Sequence, residues 1–148
     1  MPGAEPETVV LDASVAVKWV VEEPASDAAA SLLEQPILWL APRLMLIETA
    51  AALRRKAERG ELRAEAAAAG LATLLDAVGQ GMIRLADDEG VVSTALLVAL
   101  GLGHKVPDCL YLGLAEREGA AIATADMRLA ALARSRGVPV LGVGAAGQ

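Results

Sequence analysis

The sequence predicts an α/β fold with three layers, in which a central parallel sheet is sandwiched between helices. Short apolar runs rich in β-branched residues alternate along the chain with longer Ala- and Leu-rich segments. The first of these runs, Val9 to Leu11, shows no polar alternation, which is typical of a strand buried on both faces. With 148 residues, the chain is expected to form a single domain with flexible tails over residues 1–7 and 143–148.

Proline and glycine set most boundaries in the first half of the chain. Pro24 and Pro42 each suit the first turn of a helix, and Gly60 stops the helix that Pro42 opens. The short connection at Gly60 indicates a helical hairpin. The predicted elements are strands Thr8–Leu11 and Ile37–Leu40 and helices Ser14–Val21, Pro24–Glu34, Pro42–Arg59 and Glu61–Val78.

The second half continues the alternation of strands and helices. Asp87, Asp88 and Glu89 precede a helix whose N-terminus suits their charge, and Pro107 opens the next helix. The predicted elements are strands Met82–Leu85, Ala120–Ala123 and Val138–Leu141, a helix reaching Leu100, a loop over 101–106, a helix from Pro107, and helix Met127–Arg136.

Composition and charge argue against several classes of function. The net charge is −6 and only Trp19, Trp39 and Tyr111 are aromatic, so a passive nucleic-acid binder with a basic face or a base-stacking platform is not expected. The longest uncharged run, Val91 to His104, is too short to span a bilayer. The N-terminus has no basic region of a signal peptide, and one Cys cannot form an internal disulfide. The expected compartment is therefore a reducing cytoplasm.

Four acidic residues are candidates for one shared site. Asp12 leaves strand one, and Asp126 follows strand four. Asp108 lies in the first turn of the helix that feeds strand four, and Glu48 lies within the helix that Pro42 opens. Because parallel strands end at one edge of a sheet, these carboxylates are expected to converge there. Clustered carboxylates raise one another's pKa unless a cation such as Mg²⁺ or Mn²⁺ neutralises them. The residues therefore favour metal-assisted phosphodiester hydrolysis.

Each acid also has a purely structural explanation. Asp12, Asp108 and Asp126 all stand where an acid caps a helix or complements its dipole. Considered alone, Glu48 is better explained as a solvated helix residue than as a site residue. His104 is the only histidine, which supports neither a zinc site nor a Ser-His-Asp triad.

Four motifs carry a resemblance to a known family. In order they are V-V-L-D-A-S, A-P-x-L-x-x-I-E, K-V-P-D-C-L-Y-L-G-L-A-E and A-T-A-D-M-R-L. Together they resemble PIN-domain nucleases, and more narrowly the VapC-type toxins of bacterial toxin–antitoxin pairs, from about Val9 to Val143. The resemblance implies a PIN-like sandwich, dependence on Mg²⁺ or Mn²⁺, and endonucleolytic cleavage of RNA. The N-terminal segment is longer than is usual in the family.

The resemblance also implies roles for individual residues. Asp12, Asp108 and Asp126 would hold the metal, and Glu48 would position or deprotonate water. Tyr111 is assigned only a structural role. Two further positions match polar residues that support the site in the family, Ser14 and Thr124.

Five of the thirteen basic residues cluster in one segment: Arg54, Arg55, Lys56, Arg59 and Arg63. A solvated helix face explains this cluster as well as contact with an RNA backbone does. Arg55 follows Glu48 by seven residues on the same helix face, so it is the candidate for touching phosphate.

The implied partners are an RNA substrate, a second copy of the chain and a cognate antitoxin. An apolar groove for the antitoxin is expected near the acids, on the helices over 42–59 and 61–78. The residues expected to be buried in the first of these helices are Leu46, Ala50, Leu53 and Ala57. Those expected to leave apolar surface are Leu44, Met45, Leu71, Leu74 and Leu75, and the alternative is that all five belong to the internal core.

Two alternative functions stay open at this point. One is a catalytically silent PIN-like interaction module, which the presence of all four acids argues against. The other is a phosphoryl-accepting receiver-type domain, which requires paired acids after strand one and a Lys after strand five. The chain has Asp12-Ala13 and Gly142-Val143 at those positions, so we disfavour it.

Overall fold

The computed structural model describes residues 5–144, whose five strands form one sheet in the order β3-β2-β1-β4-β5. Every neighbouring pair of strands is parallel. The strands are β1 (Glu7–Leu11), β2 (Ile37–Ala41), β3 (Ile83–Leu85), β4 (Ala121–Thr124) and β5 (Val140–Gly142). All five predicted strands are present, with ends that differ by one or two residues.

Helices cover the sheet in two groups, α1 to α4 and α5 to α7, and the members of each group contact one another. These groups are the outer layers of the predicted three-layer sandwich, which is confirmed. Within residues 5–144, no helix is both long and apolar enough to cross a membrane. The helices are α1 (Ala13–Val20), α2 (Ser26–Ser31), α3 (Leu44–Glu58), α4 (Ala64–Gly79), α5 (Glu89–Leu102), α6 (Val106–Glu118) and α7 (Met127–Ser135).

The central position of β1 determines where the acids lie. β1 is paired with β2 on one side and with β4 on the other, and Val9 to Leu11 are fully buried. The register aligns Leu11 with Ala123, and the N–H of Asp12 donates to the carbonyl of Ala123 at 3.1 Å. The chain therefore leaves β1 beside the end of β4, at the same edge of the sheet.

Several predicted helix boundaries differ from the structure; the helix expected from Glu61, for example, begins at Ala64. The helix expected over 24–34 begins only at Ser26, because Ala25 has a φ of +68°, a conformation that is costly for any residue other than glycine. Its predicted last turn, Leu32–Glu34, is a 3₁₀ helix. The helix expected to stop at Leu100 continues to Leu102, where Gly103 ends it with a φ of +63°.

The predicted tails are too long at both ends. Glu7 belongs to β1, and its N–H donates to the carbonyl of Pro36 at 3.0 Å. Val143 is buried, and its N–H donates to the carbonyl of Thr124 at 2.9 Å. These hydrogen bonds hold both residues to the sheet. The other tail positions at 1–4 and 145–148 lie outside the described residues.

The buried face of α3 differs from the predicted stripe. Met45, Thr49 and Leu53, each four residues apart, are its buried positions. Thr49 Oγ1 donates to the carbonyl of Met45 at 2.8 Å, and this hydrogen bond lets a polar side chain lie in the core. Leu53 alone was correctly expected to be buried. The half-buried residues are Leu46, Ala50 and Ala57.

Close packing of α5 against α6 generates a stability prediction. A Cβ added to Gly113 would lie 2.7 Å from Val91 Cγ1, whereas one added to the exposed Gly101 would meet nothing within 4 Å. Overpacking costs about 1–3 kcal/mol, which outweighs the roughly 1 kcal/mol that Ala gains over Gly in a helix. We expect Gly113→Ala to lower the Tm and Gly101→Ala to raise it, as measured by thermal denaturation. An equal rise in both variants would contradict this packing.

Candidate active site

A cleft of about 660 Å³ opens at the edge of the sheet where β1 and β4 end. The side chains that line it come from α1, α3, the start of α6 and the segments next to these helices, including the turn before α7. They include all four candidate acids, Asp12, Glu48, Asp108 and Asp126, as well as Ser14 and Arg55. The other lining residues are Ala13, Val17, Lys18, Glu23, Ala51, Ala52, Lys56, Arg59 and Ala125.

Asp12 is the most buried acid of the cleft, with 6% of its surface exposed. Its Oδ2 accepts hydrogen bonds from Thr124 Oγ1 at 2.8 Å and from Ser14 Oγ. Asp12 stands at the N-cap position of α1, but its side chain makes no capping hydrogen bond. The capping explanation therefore does not account for Asp12.

The hydroxyls of Ser14 and Thr124 join the two halves of the site. Each hydroxyl has one proton, and both donate it to Asp12, so each oxygen can still accept a hydrogen bond. Ser14 Oγ accepts from the N–H of Ala125 at 2.9 Å. Thr124 Oγ1 accepts from the N–H of Asp126 at 2.9 Å. These bonds tie the turn after β1 to the turn after β4.

Asp126 fits the capping explanation and still lines the cleft. Its Oδ1 accepts from the N–H groups of Arg128 at 2.9 Å and Leu129 at 3.4 Å, so it caps α7. The side chain is nevertheless exposed. Because the cap uses only Oδ1, the second oxygen is available to a ligand.

Glu48 is half-buried and is held by a tyrosine from the opposite helix layer. The Tyr111 hydroxyl of α6 donates to Glu48 Oε1 at 2.7 Å. Burial, and next the charges of Asp12 and Glu48, raise the pKa of the Tyr111 phenol, so it stays protonated and remains a donor. The sequence indicated only a structural role for Tyr111, because no local pattern links it to a residue 63 positions away.

Asp108 is half-buried in the first turn of α6 and contacts the only histidine. Its Oδ2 lies 3.4 Å from His104 Nδ1, which also accepts a hydrogen bond from the N–H of Lys105 at 3.0 Å. Sequence reasoning gave His104 no role. The spacing of four residues between His104 and Asp108 was the only signal of this contact. His104 precedes the first residue of α6, so the rule that residues four apart on a helix are neighbours did not apply.

Three of the four acids hold their protons more tightly than usual. Burial is the largest cause and raises the pKa of Asp12, Glu48 and Asp108 above their ordinary values. Repulsion within the cleft adds to this effect, since the charge of Asp126 raises the pKa of all three. The hydroxyl hydrogen bonds to Asp12 and Glu48 lower the pKa but do not cancel the rise. The cleft therefore has negative charge that the protein does not fully compensate.

The oxygen-rich donor set of the cleft suits a hard divalent cation. Among the described residues, no three His, Cys, Asp or Glu side chains are arranged so that they could hold a metal ion together. Mg²⁺ is usually bound by one or two carboxylates, with water and substrate phosphate completing its shell, so it does not need a closed protein cage. A cation would also relieve the repulsion that raises the pKa of the acids. The residues present therefore fit Mg²⁺ or Mn²⁺.

The fold and the cleft define an α/β protein with an acidic site beyond the ends of parallel strands. Residues 9–135 match the family model of the PIN domain, so the chain belongs to the PIN domain family. PIN domains are generally nucleases. The resemblance found in the sequence is confirmed. The strand order also differs from the 2-1-3-4-5 order of receiver-type domains, which removes support for that alternative.

Three solved structures share the fold at low sequence identity. PAE2754 from Pyrobaculum aerophilum matches with a TM-score of 0.68 and 22% identity, over 93% of this chain and 92% of its own. VapC20 of Mycobacterium tuberculosis, a sarcin–ricin loop cleaving toxin, matches with a TM-score of 0.67 and 16% identity, over 84% of this chain and 94% of its own. FitAcB from Neisseria gonorrhoeae matches with a TM-score of 0.57 and 16% identity, over 90% of this chain and 96% of its own. A search of curated proteins found no match.

The raised pKa values generate a prediction for the metal-free protein. A carboxyl whose pKa is raised on folding stabilises the native state fully below its unfolded pKa, and this stability is lost as pH rises through the folded pKa. We expect Glu48→Gln, measured in EDTA, to raise the Tm by a few degrees at pH 7 and to have little effect near pH 4. The exposed Glu34→Gln is the matched control and should leave the Tm unchanged at both values. A lower Tm for Glu48→Gln at pH 7 would contradict the charge balance inferred for the cleft.

Proposed function

We propose that the protein is a Mg²⁺- or Mn²⁺-dependent endoribonuclease and the toxic component of a type II toxin–antitoxin pair. The observation that carries this proposal is the meeting of four carboxylates in one cleft, three of them with raised pKa. Membership of the PIN family supports nuclease activity. The likeness to VapC20, together with the motif resemblance to VapC-type toxins, favours RNA as the substrate. A cytoplasmic location follows from this role.

In this proposal Asp12 and Asp108 are the main ligands of the cation and Asp126 assists, with water and substrate phosphate completing the shell. When bound, the cation supplies charge that stabilises the developing negative charge on the phosphate and helps to orient it. Ser14 and Thr124 fix the direction of the Asp12 carboxylate through their hydrogen bonds to Oδ2. Such outer hydrogen bonds keep a ligand in place without touching the substrate.

Glu48 is the group we assign to the attacking water. Its raised pKa makes it a stronger proton acceptor than an ordinary glutamate, which suits a general base. Tyr111 holds Oε1, so Oε2 is the oxygen that takes the proton as the water oxygen bonds to phosphorus. The bond from phosphorus to the leaving ribose oxygen breaks in the same displacement, and that oxygen takes a proton from solvent. The buried phenol thereby orients the base.

Two substitutions test the metal ligands. Asp12→Asn and Asp108→Asn keep the shape of the side chain but remove its charge, and each should reduce Mg²⁺-dependent RNA cleavage by about 100-fold or more. Far-UV circular dichroism should show an unchanged fold. Asp76→Asn, an exposed acid on α4 outside the cleft, is the control and should retain full activity.

Undiminished cleavage by Asp12→Asn would contradict the assignment. If the wild-type protein bound RNA or a partner but cleaved no RNA with either metal, the silent interaction module would be the better description. A gel-based assay with labelled RNA reports cleavage, and binding of RNA or a partner is measured separately.

The exposed apolar side chains of α3 and α4 are mostly not the predicted ones, since Ile47 on α3 is 68% exposed and was not in the predicted set. Met45 and Leu74 are core residues and Leu75 alone of the predicted set is clearly exposed, because the two helices pack against the rest of their layer. The most exposed apolar side chains of the uncharged stretch in α5 are Leu97 at 69% and Leu100 at 72%. We propose that α5 forms the contact of a homodimer.

For the antitoxin we propose the cleft itself as the binding region. Its acids offer a counter-charge to a basic side chain of the antitoxin, which would then compete with the metal. In this assignment the antitoxin binds at the catalytic residues, and α5 contacts the second copy of the chain.

Co-expression with the gene product encoded immediately upstream tests the partners. We expect size-exclusion chromatography with light scattering to show a dimer of the free protein and a stable complex with that product. The complex should have little or no nuclease activity. A monomer that forms no complex and is equally active with and without the upstream product would contradict the toxin assignment, while the nuclease assignment would stand.

A further inference from the structure

The cations that lack an ion-pair partner are concentrated around the acid cleft. Eight of the thirteen basic residues form ion pairs with acids. Within residues 5–144, those without such a pair are Arg43, Arg55, Lys105, Arg128 and Arg134. All of these except Arg43 line either the acid cleft or one of two cavities beside it.

Arg55 is the available cation on the α3 side of the acids. The two neighbouring lysines, Lys18 and Lys56, are both held by Glu23, so their side chains are less free to reach a ligand. Arg55 lies seven residues after Glu48, about 10 Å along the helix at 1.5 Å per residue. The intervening cleft wall is made of the small side chains of Ala51 and Ala52, which leave room for a ligand.

Lys105 and Arg128 are the available cations on the α6 and α7 side. They line a cavity of about 490 Å³ together with His104. This cavity adjoins the acids, because His104 contacts Asp108 and the N–H of Arg128 donates to Asp126. The acids therefore have exposed cations on both flanks, contributed by different helix layers.

We propose that the acids lie in the middle of a track for single-stranded RNA. Arg55 binds a backbone phosphate on one side of the scissile bond, and Lys105 with Arg128 binds phosphates on the other side. This inference rests on the proposed nuclease function and adds how the substrate is held. At about 3.4 Å per stacked nucleotide, the Arg55 contact falls within roughly three nucleotides of the scissile phosphate.

The track explains how a protein with a net charge of −6 can hold a polyanion. The overall charge repels RNA, so binding depends on cations that no acid of the protein neutralises. Base stacking contributes little, since Trp39 and Tyr111 are buried and Trp19 packs edge-to-face on Trp39 with ring centroids 4.9 Å apart. Binding is therefore made mainly through phosphate and depends strongly on salt.

The first test measures RNA binding without cleavage, by fluorescence anisotropy in EDTA with labelled single-stranded RNA of about 20 nucleotides. Arg55→Gln and Arg128→Gln should each raise the Kd for RNA severalfold. Each should also reduce the slope of log Kd against log salt by about 0.7, the value for one phosphate contact on a single strand. The control is Arg54→Gln, which removes an exposed arginine paired with Glu58 at 2.7 Å outside the cleft. It should leave Kd and slope unchanged.

Three results of this test would overturn the track. They are a wild-type protein that does not bind RNA in EDTA, an equal effect of Arg54→Gln, and binding of an oligoglutamate peptide but not RNA with the same Arg55 dependence. The last result would identify the basic flanks as a protein-docking surface. RNA binding that depends on Arg55 and Arg128 without cleavage in Mg²⁺ or Mn²⁺ would support the track but contradict the nuclease function.

The second test locates the contacts relative to the cleaved bond. Single neutral methylphosphonate groups are placed in turn at each position around the mapped cleavage site, and cleavage rates are compared. The wild type should slow at one position on each side. Arg55→Gln should become insensitive at one of these positions and Arg128→Gln at the other. If both variants lost their sensitivity to methylphosphonate at the same position, or on the same side of the cleaved bond, a track that crosses the acids would be contradicted.

Discussion

The hydrogen bonds that Ser14 and Thr124 donate to Asp12 connect the core of this protein to its chemistry. A carboxylate with 6% exposure is costly to bury unless its oxygens are satisfied. The Thr124 bond depends on the pairing of β1 with β4, because Thr124 ends β4. Ser14 lies only two residues from Asp12, but its hydroxyl is also tied to the end of β4 by the N–H of Ala125. The acid site can therefore form only when the first and last thirds of the chain are joined in one sheet.

The acids place the site in conflict with the stability of the metal-free protein. Burial and mutual repulsion raise the pKa of three carboxyls, so the native state is penalised at neutral pH for keeping them charged. Proteins commonly accept such a cost at functional sites, where binding of a ligand then offsets it. A divalent cation is the ligand that would offset it here.

The same charges bear on both proposed ligands. The acids attract cations and the flanking arginines and lysine attract phosphates, so an RNA strand with metal and a basic antitoxin segment would use overlapping parts of one cleft. The lysines that share Glu23 are less available to either ligand, and Arg55 is the cation at this end of the cleft that forms no ion pair.

The sequence by itself determined the sandwich and the meeting point of the acids. Uninterrupted apolar runs such as Val9 to Leu11 mark buried parallel strands, and acids that follow such strands must gather at one edge of the sheet. Only the tertiary structure decided what each acid contacts. It pairs Glu48 with Tyr111 and leaves Asp12 without a capping bond. It also buries Thr49 on α3 while Leu97 and Leu100 stay exposed on α5. These features arise from contacts between residues distant in the chain, and neither periodicity nor local capping rules report which faces of two helices meet.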